Sequence, residues 1–318
     1  MHAYEAALLV PREFTDIATS PLDELAWAEF WLSPRMLRGS DFLMRWSQGV
    51  WSEKRLLEAT NATSQFFALP YGPSGVAPEE PRAVELYFER LEAAGMHGQK
   101  RPDLLIFRSE HEVRVKSLVA EIGGEEEIPF IPDADPRIQA MLDLSILAVE
   151  CENSLWVASK MPKYGAAMNL RSLASGKPGF AKNAVLPTII LKEEDRQRLD
   201  FWQSHHRVPI HIWHVFFDRA FGLSFDNAKD LISSGKIAPT EQVFQAPGGA
   251  TTRKRIYKIY YHYAYELGIA TAEPTLKAQV IVDKNGHVLP YVAFEGGSLR
   301  LGNTAISTLG DLRSRSGQ

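Results

Sequence analysis

The chain has 318 residues, of which 45% are hydrophobic and 23% are charged. This composition is typical of folded globular domains and excludes a disordered or fibrous chain. The formal net charge of −4 neither demands nor excludes a polyanionic partner. The single cysteine, Cys151, excludes a disulfide framework and favours a reducing compartment. We find no apolar run long enough for a membrane span and no secretory signal, and therefore predict a cytoplasmic protein without a membrane partner.

The first hundred residues predict mostly helix. Helical spacing of apolar residues covers 21–66, with a break at Pro34. Residues 67–80 are rich in proline and glycine, which predicts a loop. A second helix is expected over 81–95, where Gly95 ends it, and a short apolar strand over 104–107.

Strands and helices alternate through the middle of the chain. The pattern predicts a helix beginning at Pro136 and another through 193–203, and strands at 112–120, 145–152, 185–192 and 208–217. The acidic segment 123–136 is expected to be a loop. Alternation of this kind is typical of an α/β fold with a mixed central sheet flanked by helices.

The pattern changes after residue 218. Residues 217–240 resemble a helix-turn-helix, with Gly222 near the turn, and the aromatic run 256–268 has helical spacing. Residues 278–295 predict a hairpin around Asn285-Gly286. We therefore divide the chain into a helical region 1–80, a catalytic core 81–218 and an α+β region 219–318. The three can also form one continuous domain.

Three carboxylates at the ends of apolar strands are the most informative feature. Asp103 follows Pro102 at the mouth of one strand, and Glu150 and Glu152 end another. Residues two apart on a strand share a face, so the two glutamates face one way and Cys151 the other. Carboxylates that converge repel one another unless a cation joins them, and hard oxygen ligands suit Mg²⁺. We expect Asp103, Glu150 and Glu152 to bind that ion.

These residues carry a resemblance to a known family. The segments RPDLLIF and AVECENSLW resemble the active site of the PD-(D/E)xK nuclease superfamily, in which a Pro-Asp opens one strand and an acidic residue, any residue and Lys close the next. Glu152 stands where the family has lysine, as in the type II restriction endonucleases that use Glu-x-Glu. In that arrangement Glu152 would orient the attacking water as a base or through a second ion, and Lys160 is an alternative stand-in for the lysine. Four segments in the last 170 residues also look similar to AccI-like restriction enzymes: ECENSLWVASKMP, PIHIWHVFFDRAFG, APGGATTRKRIYK and DKNGHVLPYVAFEGG.

The resemblance implies a function. It implies a type II restriction endonuclease that uses Mg²⁺ to hydrolyse double-stranded DNA at a short, palindromic site. It also implies a homodimer, matched to the two-fold symmetry of such a site, without a small-molecule cofactor.

Two further acidic candidates remain open within that fold. One is an alternative motif in which Glu112 and Arg114, at the shorter spacing, join Asp103. The other is Glu85 on the second helix, because some nucleases of this fold add a helix carboxylate to the metal shell.

Basic segments offer candidate DNA contacts. The stretch 246–258 places two glycines before hydroxyl and basic side chains that suit phosphate and base contacts: Thr251, Thr252, Arg253, Lys254 and Arg255. Lys163 lies in a second basic stretch. Two other function classes stay open: a non-catalytic DNA-binding protein with structural carboxylates, and a metal-dependent hydrolase of a small substrate.

Overall fold

The computed structural model describes residues 40–73, 81–96, 100–168, 179–180, 184–245, 251–282 and 288–313. Within these ranges the α-helices are α1 (Ser40–Asn61), α2 (Pro81–Ala93), α3 (Glu112–Ile122), α4 (Pro136–Leu144), α5 (Glu193–His206), α6 (Phe225–Ser233) and α7 (Asn303–Asp311). None of these helices combines the length and the apolar character that crossing a membrane requires.

Strands in the same ranges form two sheets. They are β1 (Phe66–Pro70), β2 (Leu104–Arg108), β3 (Ser145–Asn153), β4 (Thr188–Lys192), β5 (Ile210–Val215), β6 (Arg219–Ser224), β7 (Pro239–Gln245), β8 (Thr251–Tyr260), β9 (Tyr265–Val282) and β10 (Val288–Leu301). The larger sheet has the order β1-β2-β3-β5-β6-β9-β10, and the smaller has the order β4-β8-β7. Strands from all three regions delimited in the sequence therefore share one sheet.

The centre of the large sheet is mixed. Strands β1, β2 and β3 pair antiparallel, whereas β5 lies parallel to β3. The connection from β3 to β5 passes through β4 and α5, since a parallel pair needs a long crossover. Consequently the start of β2 and the ends of β3 and β5 meet at one end of the sheet.

Each face of the large sheet buries its own apolar cluster. Helices α3 to α6 and strands β4 and β8 contribute to the cluster on one face, which includes Val115, Leu199 and Ile212. Helices α1 and α7 cover the other face, where Leu56 and Leu309 are fully buried. The sequence-based prediction of a mixed sheet flanked by helices is confirmed.

Several element predictions were wrong, and burial explains why. Residues 112–120 form a helix because Val115, Leu118 and Ile122 bury one helical face while Val113 stays exposed. Glu112 and Arg114 therefore lie on α3, and Arg114 approaches Glu121, not Asp103. The alternative motif built on them is also wrong.

Segments predicted as helix or loop are strands in three further places. Residues 66–70 form β1, which is buried beside β2. The proposed helix-turn-helix is wrong, since 219–224 is strand β6 between β5 and β9 and only α6 is helical. The run 256–268 spans the end of β8 and the start of β9, as its β-branched and aromatic residues favour. The predicted hairpin is the β9–β10 pair, although its tip at 283–287 lies outside the described residues.

Gly222 has a packing role instead of a turn role. A Cβ atom built at this position would lie 2.2 Å from the Tyr265 ring. The Tyr265 hydroxyl in turn accepts a hydrogen bond from Trp213 Nε1 at 2.9 Å and lies 3.0 Å from His211 Nδ1. The missing side chain thus makes room for a half-buried ring that joins β5 to β9.

We therefore expect Gly222→Ala to destabilise the chain by about 1–3 kcal/mol, because the Tyr265 ring must move and strain its hydrogen bonds. Urea unfolding followed by circular dichroism measures the change. The matched variant is Gly310→Ala in α7, where an added Cβ meets nothing within 4 Å. It should be neutral or stabilising, because alanine favours helix. Equal stability of the two variants would contradict this account.

Candidate metal centre and nucleic-acid interface

The backbone of Asp103 is fixed from two sides. Its N–H donates to the Val149 carbonyl at 2.8 Å, and its carbonyl accepts from Tyr71 N at 2.8 Å. Gly72 allows this approach, since a Cβ there would lie 2.7 Å from the Pro102 carbonyl oxygen. The Asp103 carboxylate accepts a 2.6 Å hydrogen bond from Cys151 N, which places it against the end of β3. Asp103 and the Glu150–Glu152 segment are therefore brought together, as expected from the sequence.

The two glutamates of β3 share a face, and Cys151 lies on the other. Glu150 is buried, Glu152 is half-buried, and Cys151 packs against the cluster beneath α1. Burial, and then the charges of Asp103 and Glu53, raise the pKa of the Cys151 thiol well above its ordinary value. The thiol therefore stays protonated and is a poor nucleophile.

Two lysines pair with these glutamates. Lys100 Nζ lies 2.5 Å from a Glu150 oxygen, and Lys192 Nζ lies 2.9 Å from a Glu152 oxygen. Burial lowers the pKa of both ammonium groups, but the neighbouring carboxylates outweigh it and raise them above the ordinary value. Both lysines are thus fixed positive charges at neutral pH.

Lys160, the lysine singled out in the sequence, lies on a turn after β3. It ends a short 3₁₀ turn, Ala158–Lys160, on the surface beyond β3, and its side chain is exposed. That turn is tied to the segment after β5, because Ala158 N and Ser159 N donate to the Asp218 carboxylate. The ammonium groups in contact with the glutamates are those of Lys100 and Lys192, two lysines that the sequence did not single out.

A further carboxylate, from Asp195 in the first turn of α5, joins the glutamates. One oxygen each from Glu150, Glu152 and Asp195 lie within 4.8 Å of one another. Lys192 also pairs with Asp195 at 3.4 Å. Asp103 lies beside this cluster and raises the pKa of Glu150 after burial, the larger cause.

The helix carboxylate near Asp103 is Glu53 on α1. Burial, and then the charge of Asp103, raise the pKa of Glu53 to about 8, while Lys100 opposes the shift. The side chain of Glu85, the helix carboxylate considered in the sequence, lies outside the described residues. Five carboxylates and two ammonium groups thus converge at one end of the sheet.

Burial governs the protonation of this cluster. It is the largest cause that raises the pKa of Asp103, Glu150 and Glu152 above their ordinary values, and the lysines only partly offset it. The cluster therefore carries more negative charge than its environment favours, and a cation would relieve the excess.

The residues fit a divalent cation. Glu150 Oε2 is buried and, within the described residues, makes no hydrogen bond, although a buried oxygen of this kind normally has a partner. The candidate donors are all carboxylate oxygens, which Mg²⁺ prefers over softer ligands. Glu150, Glu152 and Asp195 are the residues placed to share one ion.

The basic hairpin β7–β8 is tied to the same end of the sheet. Arg253 and Arg255 are exposed on one face of β8, whereas Lys254 points the other way and pairs with Glu194 of α5 at 2.5 Å. Strand β4, which ends at Lys192, pairs with β8 in register with Ile256. Arg255 directly precedes Ile256, the residue of β8 that pairs with Lys192, and Arg253 lies two residues earlier. Both exposed arginines are therefore close along the chain to the strand pair that carries Lys192.

The remaining candidates for DNA contact are only partly described. Lys163 is exposed, and its N–H donates to the Val185 carbonyl at 3.0 Å. The side chains of Thr251 and Thr252 and the glycine loop before them lie outside the described residues.

Sequence reasoning missed four members of the cluster: Glu53, Lys100, Asp195 and Lys192. Lys192 ends an apolar strand, which is the same signal that identified Glu150. Lys100 stands three residues before Asp103. No comparable sequence signal distinguishes Glu53 or Asp195, because each is one of several acidic residues on an amphipathic or polar helix.

No family model, no curated protein and no solved structure matches this chain.

We expect Glu53→Gln to stabilise the chain free of divalent ions at high pH. The pKa of Glu53 is about 8 in the folded chain and 4.5 ordinarily, so its contribution is fully present below pH 4.5 and lost as the pH rises through 8. The variant removes that loss, so it should gain about 2 kcal/mol at pH 9 and nothing at pH 4. Denaturant unfolding in a chelating buffer across this range measures the difference.

The matched control is Glu58→Gln, an exposed glutamate on the same helix that pairs with Lys54. Its stability profile should follow the wild type closely. Parallel pH profiles for Glu53→Gln and the wild type would show that Glu53 does not belong to a strained carboxylate cluster.

Proposed function

We propose that the chain is a Mg²⁺-dependent endonuclease that hydrolyses phosphodiester bonds of double-stranded DNA, and that it acts as a type II restriction enzyme at a short specific site. The observation that carries the proposal is the Glu150, Glu152 and Asp195 cluster with the unpartnered Glu150 oxygen. We also expect a homodimer, which matches a palindromic site.

The strand arrangement supports this proposal. Asp103 stands at the mouth of β2, and Glu150 and Glu152 stand near the end of β3, its neighbour in the sheet. This is the arrangement that the resemblance to PD-(D/E)xK nucleases implies. A generic surface cluster would not require a buried glutamate in a central strand, where an ionised carboxylate is costly.

The residues of the chain have distinct parts in the reaction. Glu150, Glu152 and Asp195 would hold Mg²⁺, and the bound ion would supply the positive charge that polarises the phosphate and acidifies a water molecule. Lys192 Nζ holds the Glu152 carboxylate at 2.9 Å and stands in for the lysine of the motif. Lys100 holds Glu150 in the same way, and both ammonium groups offset the charge of an incoming phosphate.

The exposed arginines of β8 would bind the DNA backbone. A guanidinium pairs readily with phosphate, and the hairpin is tied to α5 by the Lys254–Glu194 ion pair. DNA held by Arg253 and Arg255 would thus be positioned relative to the carboxylates.

We expect Glu150→Gln and Asp195→Asn each to lower the rate of Mg²⁺-dependent cleavage by at least about a hundredfold, equivalent to about 3 kcal/mol of barrier, because a ligand charge is lost. DNA affinity should be nearly unchanged. Gel analysis of phage DNA gives the rate, and a filter-binding assay gives the affinity. Discrete fragments from the wild type would support a restriction enzyme. Intact DNA would contradict the proposal and favour a non-catalytic DNA-binding protein.

Two lysine variants test whether Lys192 or Lys160 takes the part of the lysine in the motif. Lys192→Ala should reduce cleavage about as strongly as the loss of a carboxylate, because Lys192 pairs with Glu152 and Asp195. Lys160→Ala should retain cleavage, since Lys160 is exposed on the turn Ala158–Lys160 that follows β3. The reverse result would restore the assignment made from the sequence.

We expect the double variant Arg253→Ala, Arg255→Ala to bind DNA more weakly and with less salt dependence. Each lost phosphate contact lowers the slope of log affinity against log salt concentration by about 1, so the slope should fall by about 2. Arg114→Ala, which removes an exposed arginine of α3, serves as the control and should leave the slope unchanged. An unchanged slope in the double variant would remove the hairpin from the DNA interface.

A further inference from the structure

A cleft runs along α5 away from the carboxylates. Its volume is about 470 Å³, within the range of small-ligand sites. Lys100, which holds Glu150, is one of the residues that line it. The first turn of α5 also supplies Asp195 to the carboxylate cluster. From Asp195 to Phe201 the helix rises about 9 Å, which is within the reach of one nucleotide.

The cleft presents an unusually open aromatic ring. Phe201 is 74% exposed, although it lines the cleft, and its ring is stacked on His205 with an angle of 9° between the planes. Trp202 lies behind it and packs on His206. A large apolar ring left this open on an ordered helix has a face available for a flat partner.

The polar groups of the cleft are held in place. Asp133 accepts a hydrogen bond from the Tyr71 hydroxyl at 2.5 Å, and its other oxygen lies 3.1 Å from His206 Nε2. Arg101, which is 1% exposed, also pairs with Asp133. The cationic groups that line the cleft, Lys100 and Arg198, suit a phosphate.

We infer that this cleft binds one nucleotide of the substrate, swung out of the DNA stack next to the scissile phosphate, with its base on Phe201 and its phosphate near Lys100 and Arg198. The inference rests on the proposed function, which places a polynucleotide at the carboxylates. A base inside a duplex cannot reach a side cleft, so the nucleotide must leave the stack. The substrate of this site is therefore DNA with an extruded or unpaired nucleotide at the cut.

The test is a titration of the full chain, free of divalent ions, with dAMP and dCMP followed by calorimetry. Wild type should show saturable binding in the millimolar range or tighter, and Phe201→Ala should weaken it by about tenfold. Phe201→Trp should retain it, because the indole preserves a stacking surface. Phe88→Ala removes another exposed ring, one that does not line the cleft, and this variant should bind as the wild type does.

Three results would overturn the inference. They are the absence of saturable nucleotide binding, binding that Phe201→Ala leaves unchanged, and inorganic phosphate that binds as tightly as the nucleotides. In cleavage assays the mononucleotides should inhibit competitively with DNA; non-competitive inhibition would assign the cleft to a separate effector. The titration needs no catalysis, so a chain that bound nucleotides but cut no DNA would contradict the proposed function and leave the cleft as a nucleotide site.

Discussion

The structure depends on one electrostatic constraint, the convergence of five carboxylates at one end of the central sheet. Burying ionised groups costs several kcal/mol each unless they are paired. Among the residues that the structure describes, Lys100 and Lys192 are the cations that offset the charge of this cluster, which consists of Glu53, Asp103, Glu150, Glu152 and Asp195. Burial raises the pKa values of four of the five carboxyl groups. A chain that retains such a cluster gives up stability there, which is typical of functional sites.

The sheet topology explains how these residues meet. The antiparallel β2–β3 pair places Asp103 beside Glu150, and the crossover from β3 to β5 brings Lys192 and Asp195 to the same end. The small sheet and the Lys254–Glu194 pair then attach the basic hairpin to this crossover. The same helix α5 carries a carboxylate at its start and an open aromatic ring two turns later, so ion, phosphate and base sites would follow one another along it.

Much of the central fold could be predicted from the sequence, because strongly apolar strands such as β3 and β5 carry a clear local signal. That signal also predicts strand β2, which begins directly after Asp103, and the shared face of Glu150 and Glu152 on β3. Failures came where tertiary packing decides. Residues 112–120 alternate like a strand, but burial of one helical face decides their structure. Gly222 was taken for the turn of a helix-turn-helix, whereas it lies in β6 and makes room for the Tyr265 ring, which is distant along the chain. Glu53 and Asp195 join the site through helix docking, which no local pattern records, and Lys160 was preferred to Lys192 because it is nearer in sequence.

The central claim is that the cluster holds a divalent ion, and anomalous X-ray scattering from crystals soaked in Mn²⁺ tests it most directly. Mn²⁺ has the same preference for oxygen ligands as Mg²⁺ and can be located by its anomalous signal. The account predicts a single strong peak in contact with Glu150, Glu152 and Asp195, with an oxygen of Glu150 among the ligands. Crystals that bind Mn²⁺ elsewhere, or that keep Lys100 and Lys192 on the glutamates with no peak between them, would contradict it.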